Sequence, residues 1–213
     1  MEPATEVGGD YYDVLQDGNR VKVGIGDVTG HGLESGVLML MVQSVARALQ
    51  EKGGDDPKNF LEVLNRAIFK NIERTSSDKH LSLAFLDYDN KHVTLSGQHE
   101  EVLVVRNDGE VERINTMDLG FPIGLERDIG PFVATRDIPF DSGDIIILHT
   151  DGVTEAEGPT GELFGIDRLS ESARRNRDGN ADEIKQGIID DLMAHIGNQK
   201  IHDDITLVVL RHR

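Results

Sequence analysis

From Leu81 onwards the chain breaks into short β segments at 81–86, 92–96, 102–105, 132–134 and 145–148, with turn signals at Asp89-Asn90 and Asp108-Gly109 among the first four. Tight turns join antiparallel neighbours, whereas parallel strands need a crossover of roughly a dozen residues or more. This stretch therefore points to antiparallel meanders rather than βαβ crossovers.

What flanks the meanders completes the outline. Residues 21–27, Val-Lys-Val-Gly-Ile-Gly-Asp, alternate apolar with polar or small residues as a half-buried strand does, after a turn at Asp17-Gly18-Asn19. Beyond glycines 30, 32 and 36, a helix is expected from Val37 to about Glu51. Val37, Met41, Ser44, Val45, Ala48 and Leu49 fall at helical spacing, and Gly53-Gly54 end it. Asp56 as N-cap and Pro57 at the first helical position start a second helix with Phe60, Leu61, Leu64, Ala67 and Ile68 as its buried stripe. A third spans 181–196, with Ile184, Ile188, Ile189, Leu192 and Met193 on one side, and a last strand covers 205–210. This order describes one α+β domain whose sheet is assembled from distant parts of the chain. No linker rich in Pro, Gly or Ser and no repeat interrupts it.

Charge narrows the partners. Asp and Glu number 39 against 22 Lys and Arg in 213 residues, a formal charge of −17. A field of that sign repels nucleic acid and an anionic membrane surface, so neither is an expected partner. The apolar run at 37–42 stops at Gln43, well short of the roughly 20 residues a membrane span needs. Met1-Glu2-Pro3-Ala4 has neither the basic start nor the apolar stretch of a signal peptide. The absence of Cys excludes disulfides, thiolate zinc sites and a cysteine nucleophile, and it suits a reducing compartment, so the expected location is the cytoplasm. The basic run Arg174-Arg175-Asn176-Arg177 reads as a solvated helix face; a basic dock for a phosphorylated partner would be sought there first.

Four segments place an Asp beside Gly or a second Asp at a strand end: Gly8-Gly9-Asp10-Tyr11-Tyr12-Asp13, Gly26-Asp27-Val28-Thr29-Gly30-His31-Gly32, His149-Thr150-Asp151-Gly152-Val153-Thr154-Glu155 and His202-Asp203-Asp204-Ile205-Thr206. Asp-Gly alone is a common turn dipeptide, and Asp17-Gly18 and Asp108-Gly109 are read as turns. Context separates the others. The apolar residues before Thr150 run straight into Asp151-Gly152, and Asp203-Asp204 run straight into 205–210, where two adjacent carboxylates have no packing rationale. Converging carboxylates repel one another unless a cation lies between them, and hard ions such as Mg²⁺ and Mn²⁺ take oxygen ligands.

These segments, together with Phe164-Gly165 and the order in which they come, resemble the metal-dependent protein phosphatase (PPM, protein phosphatase 2C-like) family, in its bacterial branch typified by SpoIIE and RsbU. The resemblance covers nearly the whole chain. It implies an antiparallel β-sandwich flanked by helices on both faces, in four layers, holding two Mn²⁺ or Mg²⁺ ions. Carried over residue by residue, Asp27 would bridge both ions and the Val28 carbonyl would bind one of them. Asp10 would complete that ion's shell, partly through water. Asp151 and Asp203 would hold the other ion, with Asp204 as the alternative to Asp203. Water on such ions is acidic enough to supply hydroxide near neutral pH, and it would attack a phosphoserine or phosphothreonine directly, with no protein nucleophile.

His31 is a candidate general acid towards the leaving oxygen, or else a local hydrogen-bonding residue in the Gly30-His31-Gly32 turn. His149 and His202 read as supports of the aspartates beside them, and Thr29 and Thr150 as turn hydrogen-bonders. Tyr11 and Tyr12 read as core packing or site wall. At 96–101, Ser-Gly-Gln-His-Glu-Glu stands where the family often carries a glycine-histidine-proline segment, and the first Gly-Gly-Asp, which in this branch normally follows an additional strand and a linker helix, starts seven residues in. The expectation is the catalytic, C-terminal part of a longer regulator, controlled by an upstream sensor or receiver module, or else a domain that has lost its first strand. Its expected substrate is a phosphorylated anti-sigma-factor antagonist of the STAS type. Two rivals stand beside this reading: a non-catalytic domain that binds metal or a phosphoprotein, and a hydrolase of small phosphate esters.

Overall fold

The computed structural model describes residues 8–30, 32–53, 56–89 and 92–213. In chain order the strands and helices are β1 (Tyr11–Asp17), β2 (Arg20–Val28), α1 (Leu33–Lys52), α2 (Pro57–Thr75), β3 (Leu81–Asp89), β4 (His92–Gln98), β5 (Val102–Val105) and β6 (Val111–Ile114). They continue as β7 (Thr135–Pro139), β8 (Ile145–His149), α3 (Asp151–Thr154), α4 (Gly165–Arg175), α5 (Ala181–Ile196) and β9 (Leu207–Arg211). The chain gathers into two compact units: one runs to His99 and resumes over Thr116–Pro139, and the other joins Glu100–Asn115 to Phe140–Arg213.

The first unit is built on a five-stranded antiparallel sheet in the order β1-β2-β3-β4-β7. Its register pairs Tyr11 with Gly26, and Asp27 with Ser82. Side chains alternate across a strand, so Tyr11, Val28, Leu81, Leu83 and Phe85 share the face covered by Leu38, Val42 and Ala46 of α1 and Phe60, Leu61, Leu64 and Ile68 of α2. Burying each such large side chain contributes about 1.5–3 kcal/mol. Gly24 is required in that layer: a Cβ there would lie 2.6 Å from the Phe85 ring and 2.8 Å from that of Tyr11. α2 starts as expected, with the Asp56 carboxylate accepting from the main-chain amides of Lys58 and Asn59.

The second unit carries a four-stranded antiparallel sheet, β6-β5-β8-β9. Leu103, Val105, Ile145 and Ile147 pack with Leu169 and Ala173 of α4 and Ile184, Ile188, Leu192 and Ile196 of α5. α5 is fixed at its start by a capping box between Asn180 and Glu183. The basic run forms the end of α4, where Arg174 pairs with Glu171 at 2.7 Å and Arg175 pairs with Asp191, as a solvated face should.

Three details depart from the sequence reading. The segment 132–134 is not a strand: Pro131 seeds a 3₁₀ turn at Gly130–Phe132, Val133 and Ala134 bond back to Gly130 and Leu119, and β7 begins at Thr135. α1 starts four residues early, and its buried line is Ser35, Gly36, Leu38, Val42 and Ala46 instead of the line through Val37 and Ser44. The last strand starts at Leu207, because the Thr206 amide is taken by the Thr150 hydroxyl. Among the described residues no helix is long and apolar enough to cross a membrane.

Candidate functional site

Each unit gathers one part of the expected ligand set. In the first, β1 and β2 pair up to Tyr11 and Gly26, which brings Asp10 and Asp27 to the same end of the hairpin. Asp10 is buried and Asp27 half-buried. The main chain at Gly9 lies on the same oxygens: a Cβ there would be 3.2 Å from the Val28 carbonyl, 3.3 Å from that of Gly30 and 3.5 Å from Asp27 Oδ1. A side chain there would crowd that cradle, and its neighbours would have to give by a few tenths of an ångström.

The loop after Val28 is held from three sides. The Thr29 amide donates to the His80 carbonyl at 2.9 Å, the His80 amide donates to Thr29 Oγ1 at 3.2 Å, and Lys79 Nζ donates to the Thr29 carbonyl at 2.8 Å. Ser35 Oγ, in the first turn of α1, donates to the Gly30 carbonyl at 3.1 Å. Thr29 is thus the turn hydrogen-bonder its sequence position suggested. His31 lies outside the described residues.

In the second unit β8 runs through Thr150 directly into α3, so Asp151 is the first helical residue. Thr150 ties this turn to the other aspartates: its amide donates to the Thr206 carbonyl at 3.1 Å, and its hydroxyl accepts from the Thr206 amide at 3.1 Å while donating to the Asp204 carbonyl at 3.4 Å. The Asp204 amide in turn donates to Asp203 Oδ1 at 2.8 Å. Asp204 is buried and Asp203 exposed. Tyr11 is core, and Tyr12 is exposed.

Electrostatics mark the same place. Burial first, then the charges of Asp203 and Glu155, hold the Asp151 carboxyl above its ordinary proton affinity. Glu100 is raised in the same way, by burial and then by Asp151, Glu155 and Glu101. Glu100 therefore belongs to this acidic group. Glu100 was expected only as a loop departure, although Glu100-Glu101 run straight into the strand at 102–105 just as Asp203-Asp204 run into the last one. His149 is buried, which lowers its pKa, and its imidazole meets the Thr150 carbonyl at 3.2 Å. In the first unit the end of β4 is fixed by His99, whose Nδ1 lies 2.8 Å from Ser82 Oγ and whose amide donates to Thr116 Oγ1 at 2.9 Å.

The donor set suits a hard divalent cation. It consists of carboxylates with a main-chain carbonyl, including Asp151, whose ionisation is made costlier by burial and then by the charge of Asp203. Among the described residues no three Asp, Glu, His or Cys side chains form a metal cluster by themselves. One or two carboxylates with waters are the usual way Mg²⁺ is held, and pairs such as Asp151 with Asp203 and Asp10 with Asp27 fit that mode.

Residues 17–213 match the model of the family described as Stage II sporulation protein E (SpoIIE). The chain belongs to the SpoIIE family. It is 27% identical over 215 residues to the phosphoserine phosphatase RsbU of Bacillus subtilis, matching over 99% of this chain and 61% of that protein. This SpoIIE-family chain thus spans less than two thirds of its relative's length. Its fold is that of the PP2C-type domains: the SiaA-PP2C domain of Pseudomonas aeruginosa superposes with a TM-score of 0.81 at 22% identity, covering 100% of this chain and 84% of that one. RsbX, solved in complex with magnesium, gives a TM-score of 0.65 at 15% identity over 98% of this chain and 90% of its own.

Proposed function

We propose that this SpoIIE-family chain is a divalent-metal-dependent protein serine/threonine phosphatase. The observation that carries the reading is the pairing of Asp151 with Asp203: two carboxylates at strand ends, locked by Thr150 and Gly152, in an arrangement that costs energy without a cation. The family and the likeness to a phosphoserine phosphatase support it. A bound Mn²⁺ or Mg²⁺ would supply an acidified water and would offset charge on the phosphoryl oxygens.

The protein's own residues do the remaining work. Asp151 and Asp203 would hold one cation by charge, and Asp10, Asp27 and the Val28 carbonyl would provide oxygens for another. Asp203 fits this role better than Asp204, because its charge acts on Asp151 and its side chain is exposed, whereas Asp204 is buried and its carbonyl anchors Thr150. Thr29 and Lys79 keep the Val28 carbonyl at a fixed place in its loop. The proposed substrate is a phosphoserine on a STAS-type anti-sigma-factor antagonist in the cytoplasm, under control of an upstream sensor or receiver module. The likeness to RsbU, a phosphoserine phosphatase, supports phosphoserine as the group attacked.

The test is phosphate release from a phosphoserine STAS protein in Mn²⁺ buffer, for the wild type and for Asp27→Ala and Asp151→Ala. Both variants should keep the far-ultraviolet circular dichroism of the wild type and lose turnover. Retained turnover in either would remove that residue from the site. Turnover of small esters far above that of the phosphoprotein would favour an esterase instead.

A further inference from the structure

Beside Asp203 the second unit carries a pocket of about 170 Å³, open to solvent on one side. Small-molecule sites run roughly 300–1,000 Å³, so this one has room for a single long side chain rather than for a ligand of that kind. Ile196 and Ile205, both nearly fully buried, give it an apolar floor. Glu155, Glu157, Lys200 and His202 line it as well, so two carboxylates stand with one ammonium and one imidazole even when Asp203 is assigned to a cation. Glu157 is carried on fixed main chain: it bridges to Leu163, and the neighbouring Ala156 carbonyl accepts the Phe164 amide at 2.9 Å.

We infer that this cavity is a substrate subsite that receives a lysine or arginine side chain close in sequence to the phosphoserine. The inference rests on the phosphatase reading and names the substrate feature next to that site. A long basic side chain lays its methylenes on apolar surface and keeps its charged head at the rim, which matches an isoleucine floor below glutamates. Glutamates in excess over lysine favour a cationic guest over an anionic one. The −17 charge of the whole chain acts in the same direction on the encounter.

The experiment uses phosphoserine peptides that differ at one position, scanned from three residues before the phosphoserine to three after, with Arg, Leu or Glu there. The ratio of kcat/KM for the Arg peptide over the Glu peptide is read with Mn²⁺, and the ratio of their Kd values by fluorescence anisotropy without metal. At one position both ratios should favour Arg by about fivefold, an effect of the size expected for a rim ion pair. Glu157→Gln should bring the ratios towards one, and Glu157→Lys should invert them. Because ratios are compared, a general loss of activity in a variant cancels. Flat ratios at every position, or ratios that Glu157→Lys leaves unchanged, would overturn the subsite. Absence of hydrolysis with every peptide strikes the phosphatase reading instead, and the anisotropy ratios then decide the subsite alone.

Discussion

The Cα of Gly152 lies against the main chain of Asp204, so closely that a methyl group on Gly152 would overlap the Asp204 carbonyl oxygen. The contact joins the turn that carries Asp151 to the segment that carries Asp203. Gly152→Ala should therefore separate the two, and overpacking of this kind costs about 1–3 kcal/mol. Thermal unfolding should fall by roughly 2–4 °C for each kcal/mol in a chain of this size. Phosphatase activity should drop far more than the remaining folded fraction explains. An unchanged melting temperature would show that the turn can yield.

The raised carboxyls give a pH dependence with a defined sign. Asp151 and Glu100 bind protons more tightly folded than unfolded, so their contribution to stability is fully present below the ordinary carboxylate range and is lost as pH rises through the raised values. Without metal, Asp151→Asn should gain stability relative to the wild type as pH climbs from about 4 towards neutrality. Mn²⁺ should reverse the order, because only the wild type keeps the full charge that holds the cation. Chemical denaturation at several pH values, with and without Mn²⁺, checks this; a difference that stays constant with pH would remove the repulsion from the account.

How much of this was legible beforehand depended on whether local chemistry or tertiary packing decided each element. Asp56-Pro57 and the α5 periodicity set their helices by local rules, and the strand-end aspartates announced themselves by pattern. α1 did not, because residues 37–42 are apolar without interruption and leave the helix phase open; Ser35 and Gly36 then face inward, and Val37 and Leu40 stay exposed. Asn65 replaces Ala67 in the α2 stripe, for a reason invisible locally. Its side chain accepts the Gly124 amide at 2.9 Å and donates to the Glu126 carbonyl at 2.9 Å, partners about 60 positions away. Glu100 joined the acidic group through burial and through the charges of Asp151 and Glu155, which are likewise distant in sequence.

Asp203 and Asp204 should part company under mutation. Asp203→Asn leaves the main chain of the segment untouched and removes a charge beside Asp151, so Mn²⁺ affinity by calorimetry should fall while the melting temperature of the metal-free protein holds or rises. Asp204→Ala empties a buried position next to the Thr150 anchor and should cost stability first, within the roughly 1–3 kcal/mol seen when buried polar groups lose partners. If Asp204→Ala weakens metal binding more than Asp203→Asn at equal stability, the two roles are exchanged.

Gly9 offers the same kind of test in the first unit. A methyl there would stand 3.2 Å from the Val28 carbonyl, 3.3 Å from the Gly30 carbonyl and 3.5 Å from Asp27 Oδ1, tight but short of overlap. The neighbours must give by a few tenths of an ångström, and the atoms that give are those proposed to meet a cation. Gly9→Ala should therefore weaken Mn²⁺ binding by about tenfold, as disturbing the surroundings of a metal ligand does, with little change in melting temperature. Gly24→Ala is the matched control: its methyl would strike the Phe85 and Tyr11 rings in the helix-covered core and should lower stability without a selective effect on metal. Equal effects of the two substitutions on Mn²⁺ affinity, once corrected for stability, would place the first-unit cation away from Val28 and Asp27.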